Sequence, residues 1–196
     1  MADFKHPETI GLHGSDYRAD PTTTAVAVPI YQTTSYQFKN AEHAANLFGL
    51  KEFGNIYSRL GNPTVGALEA RLTALEEGAM CVALSSGTSA VMYSLINIMS
   101  QGDNFVTANQ LYGGTYTMFD NILPEYGIDS KKVDITDLAA VENAIDDKTR
   151  AIYCETITNP GLVVADISAL SEIAHSKGIP LIVDATFTTS AILKPF

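Results

Sequence analysis

The chain has 196 residues, 46% of them hydrophobic, enough to bury a sizeable core in one domain, or in one large domain with a small appendage. Its formal charge is −10, from 22 acidic and 12 basic residues, and Lys131-Lys132 is its one basic pair of note, which speaks against a nucleic-acid partner. Cys81 and Cys154 fall inside apolar runs and read as buried thiols of a reducing compartment. The N-terminal Met1-Ala-Asp-Phe-Lys-His-Pro-Glu8 has no apolar core, so a secretory signal is not expected and a cytoplasmic setting is.

Residues 1–55 carry few periodic patterns, and Pro7, Pro21 and Pro29 suggest an extended arm with one short helix, Ala41 to Phe48. From Thr64 the character changes. Val65, Leu68, Leu72 and Leu75 recur at helical spacing, and Gly78 is expected to close that helix. An apolar strand, Met80 to Leu84, is predicted next, followed by a helix reaching about Met99. Gly78 to Gly102 contains no charge and is long enough to span a bilayer, but its middle, Ser85-Ser-Gly-Thr-Ser89, is too polar to face lipid.

Further strands are predicted at Asn104–Thr107, around Lys132–Ile135, at Arg150–Cys154 and at Leu181–Val183. Helices are predicted after Gly114, from Thr136 or Asp137 through Ile145, and from a Ser168 cap to Gly178. Strands alternating with helices imply an α/β fold, a mostly parallel sheet with helices on both faces. Ligands in such sheets sit at the carboxyl ends of the strands.

Those ends are chemically suggestive. Ser85-Ser86-Gly87-Thr88-Ser89 leads from strand to helix, where unpaired backbone N–H groups favour an anion. Leu111-Tyr112-Gly113-Gly114-Thr115 offers an aromatic whose glycine neighbours let it lie against a planar ligand. Asn159 follows the Arg150–Cys154 strand and can donate a hydrogen bond. Asp184 follows Val183, and its charge would favour a protonated ring nitrogen. Each also has a plainer reading: an ordinary strand-to-helix turn, a loop aromatic, a turn residue before Pro160, an N-cap. Their succession at strand ends matches a phosphorylated pyridine ring. No zinc-type spacing links His6, His13, His43 and His175, so no metal site is expected.

Gly54-Asn55-Ile56-Tyr57-Ser58-Arg59-Leu60-Gly61-Asn62-Pro63-Thr64, with Ser85-Ser-Gly-Thr88, Leu111-Tyr-Gly-Gly-Thr115 and Thr158-Asn-Pro160, resembles the cysteine and methionine metabolism family of pyridoxal-phosphate enzymes, of fold type I. Pro29-Ile-Tyr-Gln-Thr-Thr-Ser35 and His43-Ala-Ala-Asn-Leu-Phe48 look most like its O-acetylhomoserine sulfhydrylase branch, and Gly114 stands where methionine γ-lyases often have cysteine. The resemblance implies an aspartate-aminotransferase-like large domain from residue 56 onward, preceded by an arm, residues 1–55, used in subunit contacts. It implies pyridoxal 5'-phosphate as cofactor. Ser86, Gly87 and Thr88 would bind its phosphate, the last two through backbone amides, and Tyr57 and Arg59 would reach the phosphate of a neighbouring subunit. Tyr112 would stack on the ring and assist proton transfer, Asn159 would bond the ring hydroxyl, and Asp184, with Thr186 nearby, would pair with the ring nitrogen. The reaction implied replaces the γ-acyl group of an O-acylhomoserine by sulfide or a thiol. Cystathionine γ-synthase chemistry, methionine γ-lyase chemistry and a non-catalytic cofactor-docking fragment are the alternatives.

The sequence departs from the family at two points. The family's Schiff-base lysine follows a later strand, beyond Phe196, and neither Lys177 nor Lys194 is placed to replace it. Ala185 stands where the family commonly has Asn. The expectation is therefore an incomplete large domain, active only with a segment supplying the lysine, from a complementary C-terminal polypeptide or a longer parent chain. An amino-acid substrate and a dimeric or tetrameric assembly are expected, with no membrane partner.

Overall fold

The computed structural model describes residues 6–14, 20 and 22–196. Residues 1–5, 15–19 and 21, part of the expected arm, lie outside the described residues. By internal contacts the chain divides into two units, residues 1–83 with Phe196, and residues 84–195.

The first unit contains α1 (Pro7–His13), α2 (Ala41–Phe48) and α3 (Pro63–Glu76). Asn40 caps α2 by accepting from the His43 N–H at 2.8 Å, and its ends coincide with the predicted ones. In α3 Pro63 occupies the first turn, where its missing N–H costs nothing, and Asn62 accepts from the Thr64 N–H at 2.9 Å. The helix ends at Glu77 rather than Gly78. Glu77 takes the left-handed conformation, φ 55°, at a cost of roughly 1–2 kcal/mol that a glycine there would avoid. The periodic apolar residues of α3 do not enter a core: Val65, Leu68 and Leu72 are all exposed. Between the helices, the Tyr31 N–H donates to Thr64 Oγ1, Thr64 Oγ1 donates to the Pro29 carbonyl, and Asn62 Nδ2 donates to the Tyr31 carbonyl, so residues 29–35 are pinned to the segment around α3's start.

The second unit is built on four parallel strands in the order β2-β1-β3-β4, with β1 Asn104–Ala108, β2 Asp129–Val133, β3 Thr149–Glu155 and β4 Leu181–Asp184. Central strands must be apolar on both faces. Accordingly β1 is buried throughout and β3 at every residue but Arg150, whereas β4, at the edge, is half-buried. The helices are α4 (Gly87–Ile96), α5 (Gly113–Thr117), α6 (Leu138–Ala144), α7 (Ile167–Ser176) and α8 (Thr189–Ile192). Asp137 starts α6, accepting from the Ala140 N–H at 3.0 Å. Asp166, not Ser168, caps α7 by accepting from the Ala169 N–H at 3.0 Å. Helices α6 and α7 pack on each other and on β2, β3 and β4.

A π-helical turn, Met118–Ile122, follows α5. It delivers Phe119 edge-on to Phe105 and Tyr153, with ring centroids at 4.7 and 5.1 Å. These fully buried rings, with Leu95, Leu123, Val141 and Leu170, form the core, and burying each such side chain is worth about 1.5–3 kcal/mol.

The predicted strand Met80–Leu84 does not form. The segment pairs with no other among the described residues, and Met80 and Val82 are 82% and 68% exposed. A strand requires a ladder partner, which apolar composition alone does not supply. The β2 strand, Asp129–Val133, begins three residues and ends two residues earlier than expected, because its pairing with β1 sets its register. No described helix is long and apolar enough to cross a membrane.

Candidate active site

A cavity of about 380 Å³ opens at the carboxyl ends of the second unit's strands, the location expected for a ligand in a parallel sheet. It brings together Gly87, Thr88, Tyr112, Asn159, Asp184 and Thr186, six of the residues singled out above. Ser86 stands just outside it as the cap of α4, its Oγ accepting from the Ser89 N–H at 3.1 Å. The Ala90 N–H reaches the Ser86 carbonyl, so the cap and the first helical bond leave the N–H groups of Gly87 and Thr88 without an acceptor among the described residues. Two free donors at the start of a ten-residue helix suit a phosphate.

Tyr112 comes immediately before α5 with its ring half exposed. Gly114 makes that ring position possible, since a Cβ there would lie 2.7 Å from Tyr112 Cε1. Gly113 has open space around it, so of the two glycines only Gly114 is required by contact.

Asp184 ends β4. Its Oδ1 accepts from the Thr186 N–H at 2.9 Å and from Thr186 Oγ1 at 2.5 Å, while the Tyr153 hydroxyl donates to Oδ2 at 3.3 Å. Thr186 thus holds the carboxylate from the loop side and Tyr153 from below. Ala185, where the family commonly has Asn, takes no part in these bonds. Burial drives the Tyr153 phenol far above its ordinary pKa, and the Asp184 charge adds to the effect, so the hydroxyl keeps its proton and remains a donor.

Asn159 lies in the loop after β3, preceding a cis peptide bond to Pro160. Thr158, buried beside it, accepts the Val163 N–H at 3.0 Å on its hydroxyl and shapes the turn. Tyr57 and Arg59 belong to the first unit, where Tyr57 bridges to Ser35 and the Arg59 guanidinium stands 5.6 Å from the Tyr57 ring centroid.

Sequence reasoning missed Glu155, Thr115 and Tyr153. Glu155 lines the cavity, is buried, and accepts from the backbone N–H groups of Tyr112 and Asn159 at 2.7 and 3.1 Å. Desolvation pushes its pKa up against the opposing pull of those two bonds. A signal was present: a single acid ending the apolar run Ala151-Ile-Tyr-Cys154, with Tyr153 two residues earlier and hence on the same strand face.

The residues around the cavity fit pyridoxal phosphate: free N–H donors for the phosphate, an aromatic platform, an amide, and a carboxylate held by three donors. A parallel α/β unit carrying this set belongs to the fold-type I class of pyridoxal-phosphate enzymes. The family described as Cys/Met metabolism PLP-dependent enzyme matches residues 8–196, and the chain belongs to it. It is 50% identical over 193 residues to an O-acetyl-L-homoserine sulfhydrylase of Leptospira meyeri, covering 98% of this chain and 43% of that protein. A homocysteine synthase of Schizosaccharomyces pombe is 48% identical over 188 residues, 94% of this chain and 43% of its own length. Among solved structures, a Campylobacter jejuni protein assigned as an O-acetylhomoserine (thiol)-lyase, containing N'-pyridoxyl-lysine-5'-monophosphate, superposes with a TM-score of 0.94 at 43% identity, over 98% of this chain and 47% of that one. The chain therefore spans less than half the length of these relatives.

Proposed function

We propose that the chain is the cofactor-holding N-terminal part of an enzyme that replaces the γ-acyl group of an O-acylhomoserine by sulfide or a thiol, giving homocysteine or methionine. The observation that carries this reading is the cavity in which the free N–H groups of Gly87 and Thr88 share one space with Tyr112, Asn159 and Asp184. When bound, pyridoxal phosphate supplies an electron sink for charge developing on the substrate. Gly87 and Thr88 hold its phosphate and Ser86 fixes their turn. Asp184, kept in place by Thr186, favours the protonated ring nitrogen. Asn159 bonds the ring hydroxyl, and Tyr112 covers the ring face and relays a proton at the departing group. The Schiff-base lysine comes from a segment outside these 196 residues.

Among the described residues, those lining the cavity include Glu155 and Asp184 but no lysine or arginine. A phosphate dianion there needs a cation from elsewhere, which supports Arg59 and Tyr57 acting on the site of a neighbouring subunit, with residues 1–55 as an arm in the same contacts. Arginine suits the task through its bidentate fork. Gly114, standing where methionine γ-lyases often have cysteine, favours the replacement branch. A cytoplasmic setting accords with two free cysteines.

The test is an intact-mass measurement of the purified material, its visible spectrum after adding pyridoxal phosphate, and an assay with O-acetylhomoserine and sulfide. A completing polypeptide or a longer parent chain, a visible band abolished by borohydride, and homocysteine formation are expected. A 21.0 kDa species alone, without such a band, would rule out catalysis by this chain by itself. A completed enzyme that releases no homocysteine would overturn the assignment.

A further inference from the structure

Tyr112 and Asn159 come from different loops, one after β1 and one after β3, yet both must face one flat ligand. Neither is fixed by regular secondary structure at its own position: Tyr112 precedes the five-residue α5, and Asn159 sits in an irregular loop. What they share is one carboxylate. Glu155, at the last position of β3 and 5% exposed, accepts from Tyr112 N through Oε1 and from Asn159 N through Oε2.

We propose that Glu155 is a positioning residue that ties the Tyr112 platform and the Asn159 donor to the rigid end of β3, setting the separation of two ring contacts with a single side chain. The proposal rests on the cofactor reading above and adds to it a residue that touches the ring-facing groups through their backbones.

The chemistry requires a carboxylate. An ionised carboxylate accepts at both oxygens, whereas the isosteric amide of glutamine accepts at one and presents an NH₂ at the other, where it would oppose an N–H donor. Burying a charge there is costly unless it is hydrogen-bonded. Both oxygens are, and this distinguishes Glu155 from a carboxylate merely trapped at a strand end. The strand continues the same logic one step down: Tyr153, on the same face, steadies Asp184.

The test compares the unsubstituted chain with Glu155→Gln by amide hydrogen exchange and by pyridoxal-phosphate docking, read as quenching of the cofactor's fluorescence. In E155Q the Tyr112 and Asn159 amides should exchange about tenfold faster, and docking should weaken about tenfold, while core amides such as Val106 and Ile152 are unchanged. Unchanged exchange at both amides, or docking to E155Q at full strength, overturns the proposal. Absence of docking to the unsubstituted chain would count against the cofactor reading instead, and the exchange arm alone would then decide the clamp.

Should E155Q fail to fold, the unsubstituted protein still decides. The amide shifts of Tyr112 and Asn159 should follow one shared titration midpoint, because both sense one carboxylate. The other titratable groups around it are Asp184 on β4 and Tyr153 and Cys154 on β3, and Asp184→Asn serves as the control that removes the other acid acting on it. Separate or absent titration of the two amides overturns the clamp.

Discussion

Glu155 and Asp184 are register partners at the carboxyl ends of adjacent parallel strands, so two acids face one cavity side by side. They are held differently, Glu155 by two backbone amides and Asp184 by Thr186 and Tyr153. Burial is the larger cause of Glu155's raised pKa, and the Asp184 charge is the smallest. In D184N, the Glu155 carboxyl titration followed by NMR should therefore move only part of the way back. A full return to the ordinary glutamate value would show that charge, not burial, dominates. With a folded pKa above the unfolded one, this group favours folding most below the ordinary glutamate pKa, and that contribution is lost as pH rises through the raised value.

Tyr153→Phe removes one of the three donors to Asp184 and leaves the edge-on ring contact with Phe119 intact. Denaturant unfolding should show a loss of about 1 kcal/mol, the scale of one hydrogen bond. Unchanged stability would mean that the 3.3 Å contact contributes nothing.

Gly114→Ala separates stability from ligand geometry. Alanine favours the helix by up to about 1 kcal/mol over glycine, while its Cβ displaces the half-exposed Tyr112 ring, 2.7 Å away. Thermal melting should rise or hold steady as pyridoxal-phosphate docking weakens; docking at full strength would show that Tyr112 is not the platform.

The two thiols should differ in reactivity. Burial pushes Cys154 up to about 12, with Glu155 and Asp184 adding to it, while Cys81 is half-buried and raised by desolvation and then by Glu69. A disulfide reagent should modify Cys81 first and Cys154 only after unfolding. Early modification of Cys154 would contradict its burial in β3.

Asp146 accepts from Lys131 Nζ at 2.6 Å and from Asn104 Nδ2 at 3.0 Å, and these bonds hold its carboxyl well below the usual range. Its stabilising contribution is present above the unfolded aspartate pKa of about 3.9 and is lost as pH falls through the lower folded value. Asp146→Asn should be less stable than the unsubstituted chain near neutral pH, with the gap closing in acid. A gap constant with pH would place the effect in packing rather than charge.

Much of the second unit was legible in one dimension. Leu138, Val141 and Ile145 mark α6 and Asp137 its start, because apolar spacing and caps are local properties of the chain. Ser168 was the wrong cap for α7, since Ser168 and Asp166 both suit the role and only the backbone path decides which one reaches a free N–H. Met80 to Leu84 shows the same limit more sharply: its composition suits a strand, but a strand exists only with a partner.

Tyr112, Asn159 and Asp184 could be picked out by residue type and by their order at strand ends, and the family could be recognised from motifs of adjacent residues. Glu155 and Tyr153 could not, because their roles depend on which strand face they occupy and on atoms 31 to 43 positions away along the chain. By itself, the sequence determined the alternation of strands and helices, the chemistry offered at the strand ends, and the family. The tertiary structure alone decided that one buried carboxylate joins two loops and that Gly114 makes room for a ring. Those outcomes depend on register and close approach, which arise only once distant segments pack together.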